Sequence, residues 1–163
     1  PVYDYGSVDE AAERDGFNWG YDPLNYNVPE GSYSTDPFHG EVRIRELKEA
    51  IQALHRQGFR VIMDVVYNHT YSLDSWLQKT MRGISTGVED GSVSNGSACG
   101  NDVASEQAMC ANTILEFCAV LGRKSTIWMD SALTLMGLLD VELMNRIRKG
   151  LDARYGTGEK LVF

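Results

Sequence analysis

No run of apolar residues in this chain approaches the roughly 20 that a membrane-spanning helix needs. Nothing at its start has the charged, then apolar, then small-residue order of a signal peptide. Membrane insertion is therefore not expected. Positive charge is scarce as well: 15 Lys and Arg stand against 23 Asp and Glu, a net charge of −8. Nucleic acid and anionic membrane surfaces both demand a basic face, so neither is an expected partner, and a neutral or cationic ligand is easier to accommodate. Cysteine is sparse and odd in number. Cys99, Cys110 and Cys118 show no metal-ligand spacing, and on one helix Cys110 and Cys118 would lie about 12 Å apart along the axis, too far to bridge. They read as free structural thiols, which favours a reducing, cytoplasmic setting. There is no internal repeat and no low-complexity tract.

What is present suits a soluble domain with a core: 163 residues, 43% hydrophobic and 23% charged. Residue 1 is Pro, and "PVYDYGSV" reads as the tail of a strand entering a loop, while "KLVF" at the other end reads as a strand just begun. Both ends are expected to be cut mid-element, leaving the natural N-terminus outside the sequence.

Residues 6–36 are rich in Gly, Asn, Asp, Tyr and Pro and read as a long loop. The aromatics in and beside it, Tyr3, Tyr5, Phe17, Trp19, Tyr21, Tyr26 and Tyr33, argue that it is ordered. Residues 41–57 carry Leu47, Ala50, Ile51 and Leu54 at helical spacing, and Gly58 follows where a helix end wants positive φ. "FRVIMDVV" is apolar without alternation, as expected of a parallel strand covered on both faces. Residues 68–101 form a second long excursion, and 102–118 read as a helix that Asp102 would cap. In 138–154 the apolar residues Leu138, Val141, Met144, Ile147 and Leu151 recur every three or four positions, marking an amphipathic helix. Alternation of strand and helix predicts a parallel α/β architecture.

In such folds ligands gather at the C-terminal ends of the strands. "DVVYNHT", residues 64–70, places Asp64, Asn68 and His69 together just where an apolar strand stops. That position makes the cluster a candidate site, whereas His39 and His55 have no partner motif and are expected to be structural or superficial.

"FNWGYDPLNYNVPEGSYSTDP" followed by "ELKEAIQALHRQGFRVIMDVVYNHT" resembles the type I pullulanases, α-1,6-debranching members of the α-amylase superfamily of glycoside hydrolases (family 13). "NWGYDP" is the more specific motif and "DVVYNH" matches the superfamily's first signature; "NGSACGNDVASE" and "LMGLLDVELMNRIRKGLD" also look like segments of this family. The resemblance implies that residues 1–163 are a fragment of a (β/α)8 barrel, from about the second strand to the start of the fifth, with 68–101 a loop excursion after the third. It implies that Tyr21 stacks on the glucose at the cleavage subsite, that Asp64 organises the floor of that subsite, and that His69 bonds the sugar's primary hydroxyl. Asn68 is a calcium ligand in many amylase relatives, so calcium is a candidate cofactor. The implied partner is an α-glucan polysaccharide or oligosaccharide: pullulan, amylopectin or glycogen.

The pattern breaks where the chemistry should be. Hydrolysis of this kind needs two carboxylates. The family's nucleophile sits in a fourth-strand segment resembling Asp-Gly-Phe-Arg-Phe-Asp-Leu-Met-Gly, and here "STIWMDSALT" precedes Leu135-Met136-Gly137. Thr134 occupies the nucleophile's position and Ala132 the arginine's; Asp130 is four residues early, about 13 Å along an extended strand. Trp128-Met129-Asp130 can only be coded TGG ATG GAY, and the frame starting on the last base of TGG reads Asp-Gly. Allowed codons for 125–134 extend that frame to Tyr-His-Met-Asp-Gly-Phe-Arg-Leu-Asp, which marks 119–134 as a frame artefact. The general acid would lie just beyond Phe163. The chain as given is thus expected to bind substrate but not to turn it over. Its rivals are another debranching or amylase-like hydrolase, and a non-catalytic α-glucan-binding homologue in which Thr134 is genuine.

Overall fold

The computed structural model describes residues 1–12, 17–80, 88–89, 92–121, 129–133 and 136–157. Helices and strands alternate along much of the chain, and the central pairing is parallel: β3 (Val61–Val65) runs beside β6 (Met129–Leu133), with Asp64 level with Ala132. Two antiparallel pairs flank it among the described residues. One joins β1 (Tyr3–Tyr5) to β2 (Pro23–Pro29), with register shifts on either side of Asp4. The other is a short hairpin of β4 (Val88–Glu89) and β5 (Ser92–Val93).

The three long helices are α1 (Gly40–Arg56), α3 (Ala108–Leu121) and α4 (Val141–Tyr155); α2 (Trp76–Thr80) is a single short turn. α1 ends as the sequence predicts: Gly58 takes φ 84°, and its amide and that of Phe59 return to the carbonyls of His55 and Leu54. α4 starts on Asp140, whose carboxylate accepts from the Leu143 amide at 2.9 Å.

The core lies between β3 and these helices. Met63 and Val65 meet Ile51 of α1, Cys110, Ala111, Ile114 and Cys118 of α3, and Leu143, Ile147 and Leu151 of α4. Cys110 and Cys118 are buried free thiols within it, and burial pushes both up to about 12. Only one face of β3 is covered, however. Ile62, on the same face as Asp64, is 48% exposed. That is what a barrel's inner face looks like in a chain whose described parallel sheet has two strands.

Three expectations are corrected. The expected 6–36 loop contains strand β2, which "PLNYNVP" does not advertise because Pro brackets it and apolar alternation is weak. The helix expected from 102 begins at Ala108. Asn101 to Val103 instead tie back to 68–70: His69 and Asp102 form an antiparallel bridge, and the Val103 amide donates to the Asn68 carbonyl at 2.8 Å. The Asp102 carboxylate caps no helix; it accepts from Ser94 Oγ and the Gly96 amide, both at 2.6 Å. Finally, α4 buries the row Leu143, Ile147 and Leu151, while Leu138 and Val141 face outward. The expected strand "KLVF" lies outside the described residues.

Candidate functional site

β3 carries Asp64 to the end of the parallel pair, and the chain then stays buried from Val65 through Thr70. A buried, non-regular stretch must find other partners for its backbone, and this one finds them on both sides. Tyr26 of β2 donates to the His69 carbonyl at 2.5 Å, and the Tyr71 amide donates to the Pro23 carbonyl at 2.7 Å. On the other side the bridge from His69 to Asp102 is backed by Asn101, whose amide donates to Thr70 Oγ1 at 2.5 Å. Beneath lies an aromatic cluster in which Tyr26, Tyr67 and Phe117 stand 5.3 to 5.9 Å apart by ring centroid. The segment bearing Asn68 and His69 is therefore clamped, not draped.

Tyr21 arrives from the loop between β1 and β2. Gly20 before it has φ 68°, and a Cβ there would sit 2.7 Å from the Tyr5 ring, so only glycine permits the approach. The Tyr21 hydroxyl donates to Asp64 Oδ2 at 2.6 Å, and His69 Nε2 lies 2.8 Å from the Tyr21 carbonyl. A carbonyl only accepts, so Nε2 carries the proton and Nδ1 is the nitrogen left as an acceptor. The bond to the Asp64 carboxylate, then burial, raises the Tyr21 phenol above its ordinary value. Tyr21, Asp64 and His69 thus converge as the sequence predicts.

Asn68 is adjacent but deeper, 1% exposed, and both atoms of its amide are buried with no hydrogen-bond partner among the described residues. A calcium ion takes six to eight oxygen ligands, several of them carboxylates. Among the described residues, the one cluster of three acidic groups that could hold a metal is Asp4, Glu10 and Glu30, which does not include Asn68. Arg43 already neutralises that cluster, bonding both Glu10 oxygens and lying 3.8 Å from Asp4. The described residues around Asn68 do not form a calcium cage.

Two further groups reach the site without having been expected there. Tyr3 of β1 and Asp22 bury the phenol oxygen and Oδ2, respectively, without partners among the described residues. Burial first, then the charges of Asp64 and Asp22 and the Tyr21 phenol, raise the Tyr3 hydroxyl. Asp22 also accepts from Ser7 Oγ at 2.9 Å. Its place beside Tyr21 in "GYDP" was the only local signal; Tyr3 had none. His39 is exposed and pairs with Asp36, outside this cluster.

The parallel register sets Asp130 level with Ile62, two residues short of Asp64 and about 7 Å back along the strand. Thr134 and Phe163, where the missing carboxylates were sought, lie outside the described residues.

No family model matches the chain. The curated pullulanase of Bacillus subtilis (strain 168) is 40% identical over 144 residues, which is 87% of this chain and 20% of that protein. That of Klebsiella pneumoniae is 44% identical over 117 residues, covering 67% of this chain and 11% of its own length. The crystal structure of a Paenibacillus barengoltzii pullulanase, in complex with maltohexaose and alpha-cyclodextrin, matches 96% of this chain and 25% of that one, with TM-score 0.89 and 45% identity. The chain belongs to the type I pullulanases, as a partial sequence. It spans a fifth or less of the length of these curated relatives. Its helices and parallel strands are those of the pullulanase fold.

Proposed function

We propose that this chain is the sugar-holding part of an enzyme that hydrolyses α-1,6-glucosidic branches in pullulan, amylopectin or glycogen. The observation that carries the proposal is the convergence of Tyr21, Asp64 and His69 at the end of a parallel strand, through contacts of 2.6 and 2.8 Å. Sugars are bound by an aromatic face beside convergent polar groups, and Tyr21 and Asp64 supply one of each. In this reading residues 1–163 belong to a (β/α)8 catalytic barrel, from its second strand to the start of its fifth, with 68–101 the excursion after its third. Tyr21 stacks on the glucose at the cleavage subsite. Asp64 holds that sugar's hydroxyls, and His69 orients Tyr21 while facing the primary hydroxyl.

The whole enzyme would act by double displacement with retention, which takes a carboxylate nucleophile and a carboxylic acid. Thr134 without a base is a poor nucleophile. The chain alone therefore binds glucan without cleaving it.

Calorimetric titration with maltohexaose tests this. Binding is expected, weakened about 10-fold by either Tyr21→Ala or Asp64→Ala, on the scale of a lost stacking contact or charged hydrogen bond. Pullulan should yield no reducing sugar above a buffer blank. Absence of maltohexaose binding overturns the proposal. Turnover that Asp64→Ala abolishes overturns the claim of inactivity.

A further inference from the structure

The loop that delivers Tyr21 carries two more large rings, both open. Phe17 is 80% exposed and Trp19 69%. Phe17, Trp19 and Tyr21 alternate with polar or small residues along an extended segment, so their side chains fall on one side. The ring contacts agree. Trp19 and Tyr21 lie nearly parallel, 21° between planes and 6.4 Å between centroids, and Phe17 meets Trp19 edge-on at 5.0 Å.

A single exposed aromatic needs no explanation, but a contiguous exposed patch does. This patch is also held in place. Asn18 donates to the Ser7 carbonyl at 3.1 Å and to Ser7 Oγ at 3.0 Å, and its own side-chain oxygen accepts from the Gly20 amide at 2.8 Å. Gly20 is pressed against the Tyr5 ring and the Tyr21 carbonyl is bonded by His69. Rings fixed before a ligand arrives spare the ordering entropy of binding.

We infer that Trp19, braced edge-on by Phe17, is a second sugar platform, so that an α-glucan seated on Tyr21 continues onto the indole. The inference rests on the reading of Tyr21 as a sugar platform. Three observations favour a glucan as the occupant. The indole is continuous with Tyr21 and nearly coplanar with it, as consecutive sugar faces require. The flanking groups Asp22 and Asp64 are acidic, in a chain of net charge −8, which suits a neutral polyol. Each exposed ring is neighboured by a hydrogen-bonding backbone or amide, the mixture that sugar sites use.

The test is titration of the chain with maltose and with maltohexaose, each variant checked by thermal melt. Trp19→Ala should weaken maltohexaose binding about 3- to 10-fold, the range of one aromatic stacking contact, while maltose binding changes by less than about 2-fold. Trp19→Tyr, which keeps a ring, should restore most of the affinity. Tyr21→Ala should weaken both sugars. If Trp19→Ala binds maltohexaose as wild type does while Tyr21→Ala does not, the second platform is wrong and the first stands. If wild-type chain binds neither sugar, both fall. If Trp19→Ala lowers the melting temperature by several degrees without moving affinity, Trp19 is a packing residue and the inference is overturned.

Discussion

The Tyr21 phenol and the Asp64 carboxylate, 43 residues apart in sequence, are joined by a 2.6 Å hydrogen bond in which the phenol donates. This bond ties the loop after β1 to the end of β3, so the ring and the carboxylate act as one unit. Tyr21→Phe separates the two functions, because it keeps the ring and deletes the bond. A hydrogen bond of this kind is worth ~1–2 kcal/mol, which for a chain of this size is a fall in Tm of roughly 2–8 °C. Maltohexaose affinity should stay within about 3-fold of wild type, since stacking survives. If Tyr21→Phe loses as much affinity as Tyr21→Ala, the hydroxyl is the sugar contact and the ring is not.

His69 should matter for catalysis in a full-length pullulanase that carries this segment together with both catalytic carboxylates. Losing a hydrogen bond to a buried polar ligand costs ~1–3 kcal/mol, so His69→Ala should lower kcat/KM roughly 5- to 150-fold. His69 is only 5% exposed and also positions Tyr21 through its carbonyl, so a few degrees of Tm should be lost as well. Steady-state kinetics on pullulan, beside a thermal melt, separate the two effects. Unchanged kcat/KM with a lowered Tm would make His69 purely structural.

The DNA encoding residues 119–135 should contain single-base slips that restore an aspartate in place of Thr134. The forced Asp-Gly in the neighbouring frame of Trp128-Met129-Asp130 is the motivation. Resequencing the source gene decides it. A confirmed frame for "STIWMDSALT" would favour a glucan-binding homologue without activity of its own.

A fourth expectation concerns acid. Asp4 is buried, and burial pushes its carboxyl up to about 6, a rise that Asn25's hydrogen bond partly opposes and the neighbouring Glu10 and Glu30 reinforce. The folded value lies above that of an unfolded aspartate, about 3.9. The protonated form therefore stabilises the fold below about pH 4, and that contribution is lost as pH rises through about 6. Asp4→Asn, neutral at every pH, should melt like wild type at pH 4 and above it beyond pH 6. The difference between the two melting curves isolates this group from all others. A difference independent of pH would refute the expectation, and a less stable Asp4→Asn at pH 7 would show that Arg43, 3.8 Å away, outweighs burial.

Much of this architecture was legible locally. α1 follows from Leu47, Ile51 and Leu54 with Gly58 behind them, and β3 from an apolar run of the right length. The place of Asp64 and His69 at a strand's end needed only that run and the rule that parallel sheets put ligands there. Other features depended on partners distant in sequence. β2 is a strand because β1 offers its edge, not because "PLNYNVP" favours one. β6 shows no alternation and is set by its pairing with β3. In α4 two apolar rows compete, and only the neighbours α3 and β3 select Leu143, Ile147 and Leu151 over Leu138 and Val141. Tyr3 joins the site by crossing from β1, a convergence that leaves no trace in spacing.

The bridge between His69 and Asp102, with Asn101 holding Thr70, closes the excursion of 70–101 at its neck. Closure at the neck separates what the loop contains from where the site stands. Adding residues to a loop whose ends are already pinned costs only about 0.6 kcal/mol for each doubling of length. Insertions, deletions or a grafted sequence between Ser72 and Gly100 could therefore remodel the rim of the cleft while leaving Asp64 and His69 in register. The excursion is in this sense an exchangeable cassette, and its stem is the place to cut when building chimaeras with other debranching enzymes.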